Sequence, residues 1–242
     1  VIWGQKGNFV DIPTDCPQRD ERLGWTGDIN AFCCTAAYNY DIRAFMKKWL
    51  RTLRDDQTAD GRIPHVAPNC LAERATDAMW CDAITMTPWT LYEMYGDISF
   101  LEENFPAMEQ FVSAREATME NGLIARGHEY GDWLAMDREQ LISDSPSGRT
   151  DNCYLANVLH ANSLKRIAQA AVTLKKEQKA ALYRKKYREH LARVRKEYFT
   201  ESGRLAFDTV TAQAVALHFG IVPEEYRAGL AAQLNENVVR HG

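Results

Sequence analysis

Little in this sequence suits a membrane, a nucleic acid or a metal-stapled fold. No apolar run approaches the roughly 18 residues that a membrane span needs, and no secretory leader with an apolar centre opens the chain. Positive charge is not in excess: 29 Lys and Arg stand against 33 Asp and Glu, a formal charge of −4, whereas nucleic-acid binders usually carry a strong basic surplus. Neither a nucleic acid nor a membrane is therefore expected as a partner. The six cysteines, Cys16, Cys33, Cys34, Cys70, Cys81 and Cys153, are scattered with no CxxC among them. That speaks against a zinc site and a dense disulfide framework, and they read as buried free thiols of a reducing compartment. The chain also lacks a starting Met. It begins Val1-Ile2-Trp3 and reads as a piece of a longer protein, so the expected cytoplasmic location leaves secretion open.

What is present is helical period. The 242 residues, 45% hydrophobic and 26% charged, are enough for one large domain or two small ones with a sizeable core. A first helix begins near Trp25. From Ile42 the apolar positions Phe45, Met46, Trp49, Leu50 and Leu53 mark one buried helical face, which "DGRIP" at 60–64 ends. A second pattern runs over about 77–95 with Pro88 inside it as a kink or break. Ser99 reads as the N-cap of a helix over 100–118, ended by "ENG". Residues 123–147 are rich in Gly, Asp and Ser and read as a long functional loop with a short strand at Leu123-Ile124-Ala125. Helical patterns resume over about 150–174, 177–199, 211–219 and 223–239, with Pro223 in the first turn of the last. Lys and Arg are dense between Lys165 and Lys196, but they alternate with Leu, Ala, Ile and Val and so mark solvated outer helix faces. About eight helices, joined mostly by short turns, with no strong strand signal and no sequence repeat, give an all-α fold of helical hairpins.

The chemistry concentrates in "DCPQRDERLGWTGD", residues 15–28, which packs Asp15, Asp20, Glu21 and Asp28 against Arg19, Arg22 and Trp25. An indole packs on the apolar face of a pyranose while carboxylates take hydrogen bonds from vicinal hydroxyls. Glycoside hydrolysis also needs one carboxyl that holds a proton for the leaving oxygen and a second that acts as base or nucleophile. Crowded acids raise one another's pKa and arginines lower it, so the stretch can split pKa values. The theme recurs in "MWCDA", with Trp80 beside Asp82, and in "YGDWLAMD", with Tyr130, Asp132, Trp133 and Asp137. Two other readings stand beside a sugar cleft. Hard oxygen ligands could hold a divalent cation, although the spacing is no EF-hand and Arg19 and Arg22 oppose it. A loop of surface ion pairs would use the same residues to little effect.

The stretch "NFVDIPTDCPQRDERLGWTGD", from Asn8 to Asp28, resembles the signature of the bacterial α-L-rhamnosidases of glycoside hydrolase family 78. The likeness continues through "AAYNYD", "KWLRTLRDDQTADGRIPHVAP", "PWTLYEMYGD", "GDWLAMD" and "ALHFG". It implies an (α/α)6 toroid of the six-hairpin glycosidase type and hydrolysis of terminal non-reducing α-L-rhamnose with inversion, without a cofactor or metal. It implies Glu21 as general acid, Asp15, Arg19 and Asp28 as ligands of rhamnose hydroxyls, and Trp25, Trp80 and Trp133 as indoles lining the pocket. Asp20, Asp82, Glu129, Asp132 and Asp137 are further candidates for a place in or behind the pocket. The implied partner is a rhamnose-containing oligosaccharide or glycoside, with a homodimer of the full-length protein left open. A non-catalytic carbohydrate-binding protein and a glycosidase of the same toroid acting on another sugar are the alternatives.

In the family the general base is a Glu in a motif resembling "ERWDG", followed by a pocket His, and this chain ends at "ENVVRHG" before any such motif. Residues 1–242 are accordingly expected to form the N-terminal two-thirds of the toroid, an incomplete catalytic domain with exposed helix faces and a tendency to self-associate. An acid without its opposing base predicts that this chain alone is inactive or nearly so on rhamnosides. Turnover of p-nitrophenyl α-L-rhamnoside by the 242-residue chain at about 1 per second or faster, an ordinary enzymatic rate, would contradict that expectation.

Overall fold

The computed structural model describes residues 1–125, 130–135 and 147–241; the candidates Glu129 and Asp137 lie outside them. In chain order the elements are α1 (Ile2–Asn8), α2 (Thr26–Asn39), α3 (Arg43–Asp55), α4 (Ala83–Tyr95), α5 (Ser99–Glu116), β1 (Met119–Glu120), β2 (Leu123–Ile124), α6 (Asn152–Thr173), α7 (Glu177–Tyr198), α8 (Val210–Phe219), a 3-10 turn at Glu224–Tyr226 and α9 (Arg227–His241). The expected all-α fold is observed, apart from a two-residue antiparallel hairpin pairing Met119 with Ile124 and Glu120 with Leu123. Among the described residues no helix is long and apolar enough to cross a membrane.

The helices form two layers in alternation. In the inner layer α2 packs on α4, α4 on α6 and α6 on α8, while α5 backs α4, α7 backs α6 and α9 backs α8. Sequence decides the layer. Helix α6 is apolar on nearly every side, with Tyr154, Val158, Ala161, Ile167 and Ala171 all buried, and a helix without a polar face must be covered all round. Helix α7 buries only Ala180, Tyr183, His190 and Val194 and gives most of its Lys and Arg to solvent, as the outer-face reading expects, whereas Lys165 and Arg166 sit half-buried on the inner α6. Met46, Trp49, Leu50 and Leu53 of α3 are likewise fully buried.

Several expectations need correction. Helix α4 starts at Ala83, not near Asp77, because residues 76–82 are held in turns by side chains: Met79 N–H donates to Asp82 Oδ2 at 2.9 Å. The helix runs through Pro88 without a break, and α5 similarly contains Pro106. Ser99 is the first residue of α5 and not its cap; Asp97 Oδ1 accepts from the Ser99 N–H at 3.0 Å and from its hydroxyl at 2.6 Å. Pro223 precedes the 3-10 turn and α9 begins four residues later. The short α1 had no sequence signal. All six cysteines are unpaired, but only Cys16, Cys33 and Cys81 are buried, with Cys34 and Cys70 exposed.

One polar cluster lies inside this apolar frame. Arg115 of α5 and Asp82 are both wholly buried and meet at 2.6 Å. The guanidinium also donates to Thr76 O at 2.9 and 2.7 Å and to Asp77 O at 3.0 Å, while the Ser163 hydroxyl of α6 donates to Asp82 Oδ1 at 2.6 Å. Surface ion pairs contribute about 0–1 kcal/mol, but stranding one partner of a buried pair costs about 3–5 kcal/mol. The segment that this pair holds, 76–82, carries Trp80.

Candidate functional site

The loop between α1 and α2 is closed on itself by Asp15. Asp15 N–H donates to Leu23 O at 2.9 Å and Leu23 N–H returns a bond to Asp15 Oδ1 at 2.8 Å. Residues 16–22 are thereby presented as one projecting turn bearing Arg19 and Glu21. Glycine then lets two backbones meet: a Cβ at Gly24 would stand 2.2 Å from Ala67 O, so "GW" can lie against 65–67 only with Gly at that place. Trp25 bridges to Val66, and the Thr26 N–H and hydroxyl donate to His65 O at 2.8 and 2.9 Å, fixing the start of α2.

A cavity of about 450 Å³ lies under α1, but the chemistry gathers in another of about 380 Å³. Its wall includes Asp15, Arg19, Glu21, Trp25, Asp28, Trp80 and Trp133, all seven residues singled out in the sequence, together with Cys16, Gln18, Tyr130 and Leu134. Glu21 Oε1 accepts a hydrogen bond from Trp25 Nε1–H at 2.7 Å, and its Oε2 is ion-paired with Arg19, which also reaches Asp15 Oδ2 at 3.5 Å. Trp80 lies flat against Gly27 of α2, where a Cβ would fall 2.7 Å from the indole; the second Gly of "GWTGD" is thus the seat of an aromatic ring.

Tyr130, assigned no role from sequence, is the hub of the aromatic floor. Its ring stacks on Trp80 at 4.6 Å and stands edge-on to Trp25 at 5.8 Å and to Trp133 at 5.4 Å. Rings so arranged offer apolar faces with polar edges. The local signal, a Tyr three residues before Trp133, is slight; what marks Tyr130 is its contact with Trp80 and Trp25, 50 and more residues away.

The backbone is strained where it carries these groups. Of the six non-glycine residues with positive φ among the described residues, Arg22 (46°) follows Glu21, Met79 (69°) precedes Trp80 and Leu134 (58°) follows Trp133. Such conformations cost about 1–3 kcal/mol each and persist where the surroundings over-determine them. At Met79 the Asp82 carboxylate and Arg115 supply that determination.

The remaining acidic candidates among the described residues, Asp20, Asp82 and Asp132, do not line this cavity. Asp82 is structural, buried on Arg115, and Asp20 is exposed and not part of the wall. Asp132 lines an adjoining recess of about 360 Å³ that shares Asp28, Trp80 and Trp133 with the first; its Oδ2 accepts from the Thr150 hydroxyl at 2.7 Å and so anchors the Trp133 segment to the start of α6. Asp15, Cys16 and Glu21 each bring one ligand atom within 4.8 Å of the others, but Arg19 already sits on both carboxylates and supplies the positive charge that a cation would bring. Asp28 has its carboxyl pushed up, by partial desolvation first and by the charge of Asp15 second, with Glu21 adding to it and Arg19 opposing.

Comparison with known proteins agrees with this geometry. Residues 1–242 match the family described as the bacterial alpha-L-rhamnosidase 6 hairpin glycosidase domain. An alpha-L-rhamnosidase of Formosa agariphila is 34% identical over 240 residues, 98% of this chain and 25% of that protein. The crystal structure of a Streptomyces avermitilis alpha-L-rhamnosidase complexed with L-rhamnose superposes with a TM-score of 0.88 at 35% identity, covering 98% of this chain and 22% of that one. An Aspergillus terreus rhamnosidase structure gives 0.91 at 33% identity, covering 99% and 28%. The chain thus spans about a quarter of the length of these relatives.

The raised carboxyl of Asp28 predicts a site that works against the fold. A group that holds its proton more tightly in the folded state destabilises that state once pH rises above its folded pKa. Asp28→Asn should therefore raise the melting temperature at pH 7, by no more than about 2–4 °C since the carboxyl touches water. The gain should fade as pH falls through the carboxylate range and Asp28 becomes neutral in both states. Calorimetry at pH 7 and at low pH measures it; a lower melting temperature at neutral pH would show that the carboxylate stabilises the fold.

Proposed function

Because this chain belongs to the bacterial α-L-rhamnosidase six-hairpin glycosidase family, we propose that the protein hydrolyses terminal α-L-rhamnosides with inversion, Glu21 acting as general acid. The observation that carries the reading is the setting of Glu21: a carboxyl held by an indole N–H on one oxygen and by Arg19 on the other, facing a cavity of about 380 Å³ floored by Trp25, Trp80, Tyr130 and Trp133. The apolar face of the sugar ring and its methyl group rest on the indoles. Asp15 Oδ2, Asp28 and the guanidinium of Arg19 take the ring hydroxyls, each a charge-assisted hydrogen bond. Arg19 is well exposed. As it turns to the sugar it leaves Glu21 Oε2, which without the guanidinium takes up a proton from solvent and then gives that proton to the glycosidic oxygen as the glycosidic bond breaks.

Asp15 does not suit the part of opposing base. Its carboxyl and that of Glu21 come within 4.8 Å, closer than the about 6.5–9.5 Å that an inverting pair needs to admit water. Its Oδ1 is also committed to Leu23 N–H, so hydroxyl binding is the role that fits it. The test is Glu21→Gln in the full-length protein. Loss of a general acid should slow hydrolysis of a sugar or alkyl rhamnoside by about 100- to 10,000-fold and slow a nitrophenyl rhamnoside, whose leaving group needs no proton, far less. Equal losses on the two would reject the assignment, and rhamnose binding with no turnover in the unaltered protein would favour a carbohydrate-binding role.

A further inference from the structure

His65 lies behind the cleft and touches every piece of chain that builds its aromatic wall. It is 4% exposed. Its Nε2 lies 2.6 Å from Asp77 Oδ2 and its Nδ1 lies 3.2 Å from Glu73 Oε2. Both partners are carboxyl groups, so the ring makes both bonds as a donor only in its imidazolium form, the form that these two partners favour. It meets the ring of Tyr130 edge-to-face at 5.0 Å and 85°, and its carbonyl is the group that fixes Thr26, next to Trp25. Asp77 in turn belongs to the segment that Arg115 holds through Thr76 O and Asp77 O and that delivers Trp80.

We propose that His65 is a positioning residue of the sugar site: a doubly hydrogen-bonded imidazolium that clamps the Asp77–Trp80 segment, Tyr130 and the start of α2 at Trp25 into one floor. The inference rests on reading the cavity as a sugar site. The clamp needs both protons. With one gone, the ring faces a carboxylate that no longer receives a hydrogen bond, and the contact turns from attraction to repulsion. Burial works against the charged ring, and the hydrogen bonds of Asp77 and Glu73 outweigh it, so the ring keeps its proton above the ordinary histidine value. Arg62 and Arg74 face the same recess as Glu73, Asp77 and the neutral Thr76 and Thr118, and Arg115 reaches the main chain of Asp77 from α5. For a group whose folded pKa is raised, the stabilisation is complete below the unfolded value and is lost as pH rises through the folded one. The floor therefore loosens on the alkaline side.

The test reads the floor directly. In the unaltered protein, the indole N–H resonances of Trp25 and Trp80 are followed by NMR through the titration of the His65 ring. The proposal expects both to shift with the midpoint of His65, above about 6.5, and to lose that step in His65→Gln. Indoles that stay still while His65 titrates would overturn it, whether or not any variant folds. Kinetics on a nitrophenyl rhamnoside supply the second readout: His65→Gln should raise KM about tenfold, near the loss of one well-placed aromatic contact, and change kcat by less than about threefold. An unchanged KM would also overturn the proposal. These kinetics are measured in the full-length protein; should it fail to turn over rhamnosides, the substrate reading falls, while the indole titration still decides the role of His65.

Discussion

The structure turns on a guanidinium buried without access to water. Arg115 satisfies its donors on Asp82, Thr76 O and Asp77 O, and each of those partners lies in the 76–82 turn. That turn has no ladder of its own and carries a positive φ at Met79. It stays in place because releasing it would strand an arginine in the core, the costly side of a buried ion pair. Trp80 is placed by this constraint, and Trp80 in turn places Tyr130 above it. The core thus fixes the cleft floor through one polar cluster, with Ser163 and Thr85 extending it to α6 and α4.

From the other side the floor is met by a loop that depends on close approach. Gly24 against Ala67 O and Gly27 against the Trp80 indole remove the two side chains that would hold α2 away. The acids then arrive on a turn that Asp15 closes on itself. Trp80, Tyr130 and Trp133 line one side, and the charged groups Asp15, Arg19 and Glu21 come from the loop on the other, with Trp25 joining the two. That division suits a ligand with one apolar face and one face of hydroxyls.

Much of this was legible because the residues that matter are adjacent in the chain. The run from Asp15 to Asp28 names five of the seven cavity residues by itself, and Trp80 and Trp133 each announce themselves as an indole beside an acid. The helices were legible from period, and the outer face of α7 from its charge; the inner place of α6 was not, since Lys165 and Arg166 read as part of a solvated face yet are half-buried, Arg166 over the Trp89 ring. What escaped was tertiary. Asp82 and Asp132 looked like Asp28 in sequence, yet one is consumed by Arg115 and the other by Thr150, partners 33 and 18 residues away. Tyr130 and His65 are ordinary residues until their neighbours are known. Ser99 did not cap α5, because its N–H and hydroxyl are both taken by Asp97 two residues earlier and the helix begins at Ser99 itself.

The central claim is that an acid-rich turn and an aromatic floor make one sugar site, and a crystal structure of the protein soaked with L-rhamnose tests it most directly. The account predicts the pyranose in the cavity of about 380 Å³, its apolar face on the indoles, hydroxyls within hydrogen-bond distance of Asp15, Arg19 and Asp28, and the anomeric oxygen turned to Glu21. Rhamnose bound elsewhere, or a cavity empty at saturating sugar, would contradict it.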